Sequence, residues 1–393
     1  TSFSGSVESG DLDAGHFWGY YRPYVPFQKI DGRFQLDVSF KGRLARFTSK
    51  GKVKVRNVRF DYPQVFHSVL TPKKIALSYA LELTEKDLDV TSLHLNVDGL
   101  DVKGSCALRD LHSGDIFIDA RAATSPFRLE DFGGYIPYGI IAADASEYIE
   151  QHIKGGLYRL EKGTLAGRVS QIAHMEKGTN YNVLFIKGTV EKGLLSYGPA
   201  VPAFSDIRGN LEMRGRDFIL SGMRANFGTS PFALEGRITD YPLTTPCSYP
   251  FSLSMKPRPP EVAWLLQQQK SRQFAFSGDS DLSLQGNGTT SGYSLSGTWD
   301  LSAAAFTWRD LIAKPSGRTT RLSFQSTLNG EGVRAPVFRY DMGPLSLAGA
   351  AEYFPARKYM PLFSIRSNDI PLQAVAPELP RLARYKPSGK ARL

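Results

Sequence analysis

The stretch IRGNLEMRGRDFILSGMRANFGTSPFALEGRITDY, residues 207–241, decides the fold. Leu211 and Met213 fall on one side of an extended chain, and charged residues occupy the other side. A second strand begins at Phe218 and a third at Phe232, each after a turn rich in glycine. Period-two alternation between turns predicts antiparallel strands with one apolar and one solvated face. Such a unit leaves its apolar face uncovered, and we expect whatever covers that face to carry the function.

The same alternation recurs along the chain, interrupted by short segments with helical spacing. We predict helices over Tyr138–Lys154, Pro260–Gln269 and Pro371–Tyr385, and an aromatic helical or turn segment over Leu12–Tyr24. We expect the three helices to cap or flank the sheet. Aromatic side chains such as Trp264 leave open a role in gating it.

Strands and helices together form a long repeat. A glycine that restarts the sheet follows each helix, and Gly32, Gly156, Gly278 and Gly389 stand in the same phase. They divide the chain into the end of a preceding repeat (1–31), three β-meander repeats (32–155, 156–277 and 278–388) and the start of a further repeat (389–393). We predict that all of these belong to one continuous sheet, with a short helix closing each meander.

The predicted fold class is therefore mostly β, with a long curled antiparallel sheet that forms an elongated groove. Roughly two dozen strands at about 4.8 Å each would span on the order of 100 Å, and strand twist would curl so long a sheet. One apolar face lines the predicted groove, through Phe34, Leu36, Val38, Leu77, Leu81, Leu95, Val97, Leu211, Met213, Phe232, Leu234, Phe251, Leu253, Leu282, Leu284, Leu345 and Leu347.

Two coverings of this apolar face are open. A second sheet or the helices would close it into a sandwich core. Alternatively, acyl chains would lie in the groove with their headgroups in water. Each buried CH₂ contributes ~0.8 kcal/mol, so a long acyl chain would gain on the order of 10 kcal/mol. A uniform groove would hold lipid equally well at each position, which suits a conduit without catalytic residues.

Charge and cysteine content narrow the classes of partner. The formal net charge is +10, but the basic residues are scattered, and in Lys50–Arg56 they alternate with apolar ones as on the solvated face of a strand. A solvated basic surface is favoured over an anionic membrane surface, and nucleic acid comes last because no reader motif accompanies the charge. Cys106 and Cys247 either pair in an oxidising compartment or are small buried thiols. No apolar run approaches the roughly 20 residues of a membrane helix.

No catalytic or metal-binding constellation stands out. The segment Gly292–Gly297 has one residue too many for a Gly-x-Ser-x-Gly elbow and lies in an alternating strand. The six histidines show no metal-binding spacing, and His94 belongs to a polar strand face. Asn287 begins a glycosylation sequon, but we favour a plain Asn-Gly turn there. We expect no catalysis, no metal and no cofactor.

The order of apolar strand, Gly-x-Leu strand, Pro-led helix and Gly-restarted strand resembles the AsmA-like family, the YhdP/TamB-type bridge-like lipid transfer proteins of Gram-negative bacteria. The resemblance covers nearly the whole chain through degenerate positions rather than an invariant motif. It is closest over 135–243, with the Ile136-Pro137 helix entry, the Gly155-Gly156 exit and the strands Ala203–Leu211 and Phe232–Asp240.

The resemblance implies a periplasmic protein anchored to the inner membrane through a segment outside this chain. Its implied partners are phospholipid, the membranes at the ends of the parent chain, and a protein of the inner or outer membrane. We therefore predict non-enzymatic phospholipid transport between the two membranes through an apolar β-groove. The alternative is a structural or adhesion-type β-solenoid that binds a protein partner along its edge strands. Solenoid repeats are short, about 20–30 residues, whereas the repeats predicted here are much longer.

Overall fold

The computed structural model describes residues 2–24, 27–136, 138–139, 143–241, 243, 245–267, 273–354 and 362–393, the side chains of residues 21, 24, 143 and 144 excepted. Most of these residues lie in β-strands, and the other elements are short helices, so the chain is mostly β as predicted. It divides into two compact units. Unit 1 comprises Thr1–Tyr197 with Asn210–Asp217, and unit 2 comprises Gly198–Gly209 with Phe218–Leu393.

Unit 1 begins with ten strands in chain order: β1 (Phe3–Asp13), β2 (Lys29–Arg43), β3 (Arg46–Asp61), β4 (Lys74–Thr84), β5 (Leu88–Val97), β6 (Leu100–Arg109), β7 (Phe117–Thr124), β8 (Phe127–Arg128), β9 (Ile153–Arg168) and β10 (Leu184–Leu195). From β1 to β7 each strand pairs antiparallel with the next. Strand β9 then pairs with β7, β8 and β10. The result is a broad meander with helices inserted before β9.

The helices of unit 1 are short: α1 (Trp18–Tyr21), α2 (Leu129–Phe132), α3 (Ala143–His152) and α4 (Val169–Ile172). Strand β11 (Phe204–Arg214) has residues in both units.

Unit 2 continues with strands β12 (Asp217–Phe227), β13 (Ser230–Ile238), β14 (Phe251–Met255), β15 (Phe274–Ser277), β16 (Asp281–Thr289), β17 (Gly292–Asp300), β18 (Ala305–Trp308), β19 (Ile312–Lys314), β20 (Thr320–Asn329), β21 (Gly332–Met342), β22 (Leu345–Tyr353), β23 (Leu362–Ser367), β24 (Ile370–Pro371) and β25 (Lys390–Ala391). Its helices are α5 (Pro259–Leu265), α6 (Leu372–Val375) and α7 (Pro380–Ala383).

The large sheet of unit 2 is antiparallel throughout, in the order β12, β13, β14, β16, β17, β20, β21, β22, β23. Strands β15, β18 and β19 form a separate small sheet, and β24 pairs with β25. The chain therefore leaves the large sheet twice, after β14 and after β17, and returns each time to pair with the strand it left.

The alternation read from the sequence sets the two faces of these strands. In β3 the side chains of Lys50, Lys52 and Lys54 are exposed, whereas Val53 and Val55 between them are half-buried. Successive side chains of a strand point to opposite faces, so the basic residues share the solvated side. The large antiparallel sheet is thus as predicted, while its curling into a groove stays a prediction.

The predicted helices are shorter in the structure. Helix α3 covers Ala143–His152 instead of Tyr138–Lys154, because Ile153 and Lys154 already belong to β9. Pro137, Ile140 and Ile141, on which part of that prediction rested, lie outside the described residues. Helix α5 covers Pro259–Leu265, and the predicted end at Gln268 and Gln269 also lies outside them.

The single helix predicted over Pro371–Tyr385 is wrong. The structure has α6, a 3₁₀ turn at Ala376–Glu378 and α7 in its place. Pro377 and Pro380 explain the breaks, because proline has no amide hydrogen and its ring clashes with the preceding turn of a helix.

The N-terminal prediction needs two changes. Strand β1 was not predicted, because Phe3–Asp13 is mostly small and polar and shows little apolar alternation. Leu12 and Asp13, placed in the helical segment by the sequence, end this strand, and the helical turns run over 14–24. The Asp13 carboxylate accepts a hydrogen bond from Gly15 N at 2.8 Å and so begins them.

A strand–helix–strand order recurs in the two units. Strand β7 precedes α2 and α3, and β9 follows them to pair with β7; in unit 2, β14 precedes α5, and β16 pairs with β14. The restart glycines Gly156 and Gly278 have φ values of 138° and 83°. Both values lie in a region that favours glycine over other residues. The repeat boundaries themselves stay a prediction.

Candidate functional site

Cross-strand rows of apolar residues run over one face of the sheet of unit 2. Directly paired positions keep their side chains on the same face. One row takes one residue from each of nine strands: Met223, Leu234, Leu253, Leu284, Gly297, Phe324, Phe338, Gly349 and Ile365. The row beside it contains Ala225, Phe232, Met255, Leu282, Trp299, Leu322, Tyr340, Leu347 and Ser367. We call the face that carries these rows the apolar face of unit 2.

Unit 1 has an apolar face of the same construction. One row contains Leu36, Val53, Leu77, Leu95 and Val102, and its neighbour contains Phe34, Val55, Ile75, Val97 and Leu100. Two further rows pass through Val38 and Leu81.

The structure places the 17 sequence-predicted lining residues in these two faces, apart from Leu211 and Met213 on β11. Val97 and Leu345 are buried, and the others are half-buried, with none in the exposed class. Half-burial means that side chains of one face shield each other while part of each still reaches solvent. Whether they line a lipid groove stays a prediction.

Part of the apolar face of unit 2 is covered at the ends of the strands. Val262 of α5 and Phe276 of β15 pack with Trp299, and partly buried Leu282 and Leu322 join that cluster. Further along the chain, Val375 of α6 packs with Leu345. Both helices therefore cap the sheet, as expected from their positions in the sequence.

Trp264, considered for gating, is held on both sides. Its Nε1 donates a hydrogen bond to Ala200 O at 2.8 Å, and its ring meets Phe227 edge to face at 5.3 Å between ring centroids.

Two cavities include little of the predicted lining. A cavity of about 830 Å³ lies in unit 2, and we call it the polar cavity. Of the predicted lining residues it contains Phe251. A cavity of about 430 Å³ in unit 1 is lined by His67, Glu150 and Lys154 among others. His67 Nδ1 lies 3.1 Å from Glu150 Oε1 and its ring stacks on Tyr138.

The histidines and the serine elbow give no reactive geometry. Among the described residues no group of three His, Cys, Asp or Glu is close enough to hold a metal ion. His94 Nε2 instead lies 2.9 Å from Asp101, and hydrogen bonds from Asn96 and His94 lower the pKa of the Asp101 carboxyl. Ser294 lies in β17, in register with Asn287.

The predicted turn at Asn287-Gly288 is wrong. Both residues lie within β16, where Asn287 pairs with Ser294, and the turn follows at residues 290–291. The strand continues because Gly288 takes a φ of 146° within the ladder instead of closing a hairpin.

Both cysteines are thiols. Cys106 lies on the apolar face of unit 1, in register with Val90 and Ala120. Burial, and to a smaller extent Asp119, raises the pKa of its thiol. Cys106 is half-buried, and a raised pKa lowers the fraction of reactive thiolate at neutral pH.

Sequence reasoning missed three buried charges in unit 2, at Glu261, Lys314 and Glu378. Glu261 at the start of α5 accepts hydrogen bonds from Thr229 N, Thr229 Oγ1 and Ser230 Oγ at 2.9, 2.9 and 2.7 Å. Lys314 Nζ donates to the carbonyls of Leu301, Ser302 and Ala304. The sequence could have indicated a role for Glu261 at the start of α5, because carboxylates are favoured at that position. Nothing in the sequence around Lys314 indicates that it is buried.

Comparisons of the chain with models of known families, with curated proteins and with solved structures gave no match. In the described part of the chain, no helix has both the length and the apolar character needed to cross a membrane.

Proposed function

We propose that this chain transports phospholipid without catalysis, by holding acyl chains against the apolar face of each unit. The observation that supports it is the continuity of the rows. In unit 2 the row through Leu234, Leu253 and Leu284 crosses nine strands without a charged residue.

The physics of such a row favours a flexible apolar ligand. Between Met223, which is buried, and Ile365, which is exposed, its residues are half-buried, so their side chains can still bury surface against a further apolar group. Each buried CH₂ of an acyl chain contributes ~0.8 kcal/mol. Because successive strands offer similar apolar contacts about 4.8 Å apart, a chain lying across them meets no single strong site.

The remaining parts of the proposal rest on the family resemblance. The protein works in the periplasm, is held at the inner membrane by a segment outside this chain, and delivers phospholipid to the outer membrane. Membranes at the ends of the parent chain and a protein of one of those membranes are its partners. Transport of this kind needs no cofactor and no catalytic residue.

A site-specific photocrosslink tests which face meets lipid. Leu253 on the apolar face is half-buried, and the adjacent Ser254 is exposed on the opposite face. A photoreactive benzoylphenylalanine replaces each in turn, the protein is irradiated in cells, and adducts are identified by mass spectrometry. We expect a phospholipid adduct at position 253 and none at 254. Equal labelling of both positions, or none at 253, contradicts the proposal.

A second matched pair tests the contribution of the row to lipid retention. Leu234→Asp places a carboxylate on the apolar face, whereas Ala233→Asp places one on the exposed face of the same strand. We expect native mass spectrometry to show co-purified phospholipid with Ala233→Asp and loss of it with Leu234→Asp. Thermal unfolding of both variants separates lost binding from lost folding.

One observation favours the alternative function, binding of a protein partner along an edge strand. In the large sheet of unit 2, β23 pairs only with β22 among the described strands, and its Leu362, Phe363 and Ile365 are 65%, 64% and 47% exposed. An exposed apolar edge is a template for strand addition. If Phe363→Lys removes a co-purifying protein while Leu234→Asp leaves it bound and no lipid crosslinks, this alternative replaces the transport proposal.

A further inference from the structure

The polar cavity of unit 2 lies on the face opposite the apolar rows. Its wall includes Ser252 and Gln285, the strand neighbours of Leu253 and Leu284, whose side chains point the other way. Neither of these leucines lines the cavity. Phe251 and Tyr293 cover Gly286 from the apolar side, and of the two only Phe251 also lines the cavity. The cavity is therefore formed mainly on the polar side of the sheet.

On the central strands β14, β16, β17 and β20, the side chains that face this cavity are neutral and polar, and Ile219, Leu220, Phe251 and Leu295 add apolar contacts to its wall. One cross-strand row contains Ser252, Gln285, Ser296 and Gln325, and the next contains Asn287, Ser294 and Thr327. All of them lie on β14, β16, β17 and β20, and every one is a hydroxyl or a carboxamide. Charged residues line the cavity only at its border on β13, as Glu235 and Arg237. The solvated face of β3 in unit 1, with Lys50, Lys52 and Lys54, shows that exposed strands of this chain are not generally neutral.

The hydroxyl and carboxamide groups of these seven side chains are also unused as hydrogen-bonding groups within the described structure. None of the seven hydroxyl and amide side chains forms a hydrogen bond with another described residue, whereas Glu235 at the border accepts one from Gly222 N at 2.8 Å. A hydroxyl donates and accepts, and a carboxamide offers two donors and an accepting oxygen. Strands β14, β16, β17 and β20 thus present to the cavity two rows of hydrogen-bond donors and acceptors without charge.

Three features of these rows indicate the chemistry of a ligand: the side chains are uncharged, they both donate and accept hydrogen bonds, and they repeat at the spacing of the strands. Sugar hydroxyls both donate and accept hydrogen bonds, and neutral sugars need no countercharge. The rows cross strands at about 4.8 Å per strand, close to the advance per residue of an extended β-1,4-linked pyranose chain. A volume of about 830 Å³ lies within the usual range of ligand sites, about 300–1,000 Å³. Pro250 and Pro336 add apolar walls for the CH faces of the rings.

We infer that the polar cavity binds a neutral β-1,4-linked oligosaccharide laid across β14, β16, β17 and β20, with one pyranose unit near each strand. Gln285 and Gln325 bind hydroxyls of alternate units through their carboxamides, and the serines between them bind the intervening units. This site is on the other face from the proposed lipid-binding rows and is independent of them.

Isothermal titration calorimetry with cellotetraose, chitotetraose and maltotetraose tests the site on the full chain. We expect cellotetraose or chitotetraose to bind and maltotetraose, whose α-linkage curls the chain, to bind more weakly. Ser294→Lys adds a charged side chain inside the cavity, and Ser283→Lys adds the same side chain to an exposed serine of the same face outside it. We expect Ser294→Lys to weaken binding about ten-fold or more, and Ser283→Lys to change it less than about two-fold.

A second variant, Gln285→Leu, removes donors and acceptor without adding charge and is expected to weaken binding in the same direction. The inference is overturned if neither extended tetrasaccharide binds at millimolar concentration. It is also overturned if folded Ser294→Lys and Gln285→Leu bind as tightly as the unaltered protein. The lipid crosslink at position 253 is expected to be unchanged in both variants, so the two proposals fail separately.

Discussion

The Ser230 hydroxyl donates a hydrogen bond of 2.7 Å to the carboxylate of Glu261, and both residues are buried, at 0% and 5% exposure. Ser230 Oγ also accepts from Arg258 N at 2.8 Å, immediately before α5. Thr229 adds a backbone and a side-chain donor to the same carboxylate. The turn between β12 and β13 is thus joined to the start of α5 through a single carboxylate, which fixes the helix that caps the apolar face.

Glu261→Gln is expected to destabilise the protein by about 1–3 kcal/mol, because the amide nitrogen would face donors that only an oxygen can satisfy. Chemical unfolding followed by tryptophan fluorescence measures the loss. Glu331→Gln, at an exposed carboxylate in the turn before β21, is the matched control and is expected to change stability by less than about 0.5 kcal/mol. Equal stability of the two variants would show that the buried carboxylate does not hold α5.

Gly228 is expected to be less tolerant of a side chain than another glycine of similar conformation. Its φ is 57°, and a Cβ would collide with Glu261 Oε1, whereas Gly317 has a φ of 82° and open space at that position. Both Gly228→Ala and Gly317→Ala carry the left-handed strain of roughly 1–2 kcal/mol. We expect Gly228→Ala to unfold at a lower temperature than Gly317→Ala. Identical melting temperatures would mean that the carboxylate moves aside without cost.

The strands and their faces could be predicted because alternation is a local property of the chain. Leu234 and Leu253 were assigned to one face from their own neighbours, and the structure pairs them directly across β13 and β14. Strand β1 was missed for the same reason, since its residues hardly alternate and its pairing with β2 depends on the partner strand.

Features that depend on distant segments could not be predicted. Lys314 is buried because the carbonyls of 301–304 converge on it, and nothing in its neighbouring sequence shows that turn. The polar cavity is lined by residues of several strands that are far apart in the sequence, so Gln285 and Ser296 look like ordinary solvated positions in the sequence. The small sheet formed by β15, β18 and β19 also required knowledge of which strands leave the large sheet.

Ala304 is expected to reject a larger side chain. It is 0% exposed and packs with Val262, Phe276 and Trp299, while the adjacent Ala303 is exposed. Ala304→Val is expected to cost about 1–3 kcal/mol through overpacking, and Ala303→Val less than about 0.5 kcal/mol. Thermal unfolding checks both, together with near-UV circular dichroism, to which Trp299 contributes along with the other aromatic residues. Tolerance of Ala304→Val would show that this cap adjusts freely.

Lys314 is expected to make stability depend on pH in alkaline solution. The side chain is 1% exposed, and burial lowers its pKa against a smaller opposing effect of Asp300. Between that lowered value and about 10.4 in the unfolded chain, the unfolded state binds more protons than the folded state. Raising the pH through this window therefore stabilises the folded protein relative to a variant that cannot titrate at this position.

Lys314→Met is the variant without the titrating group, and it leaves the carbonyls of Leu301, Ser302 and Ala304 without their donor. We expect it to lose about 1–3 kcal/mol near neutral pH and to fall further behind the unaltered protein as the pH rises towards about 10.4, the pKa in the unfolded chain. Lys390→Met, at an exposed lysine of β25, controls for loss of a positive charge and should follow the unaltered protein at both pH values. A stability gap that narrows as the pH rises would show that the three carbonyls hold the ammonium more strongly than burial disfavours it.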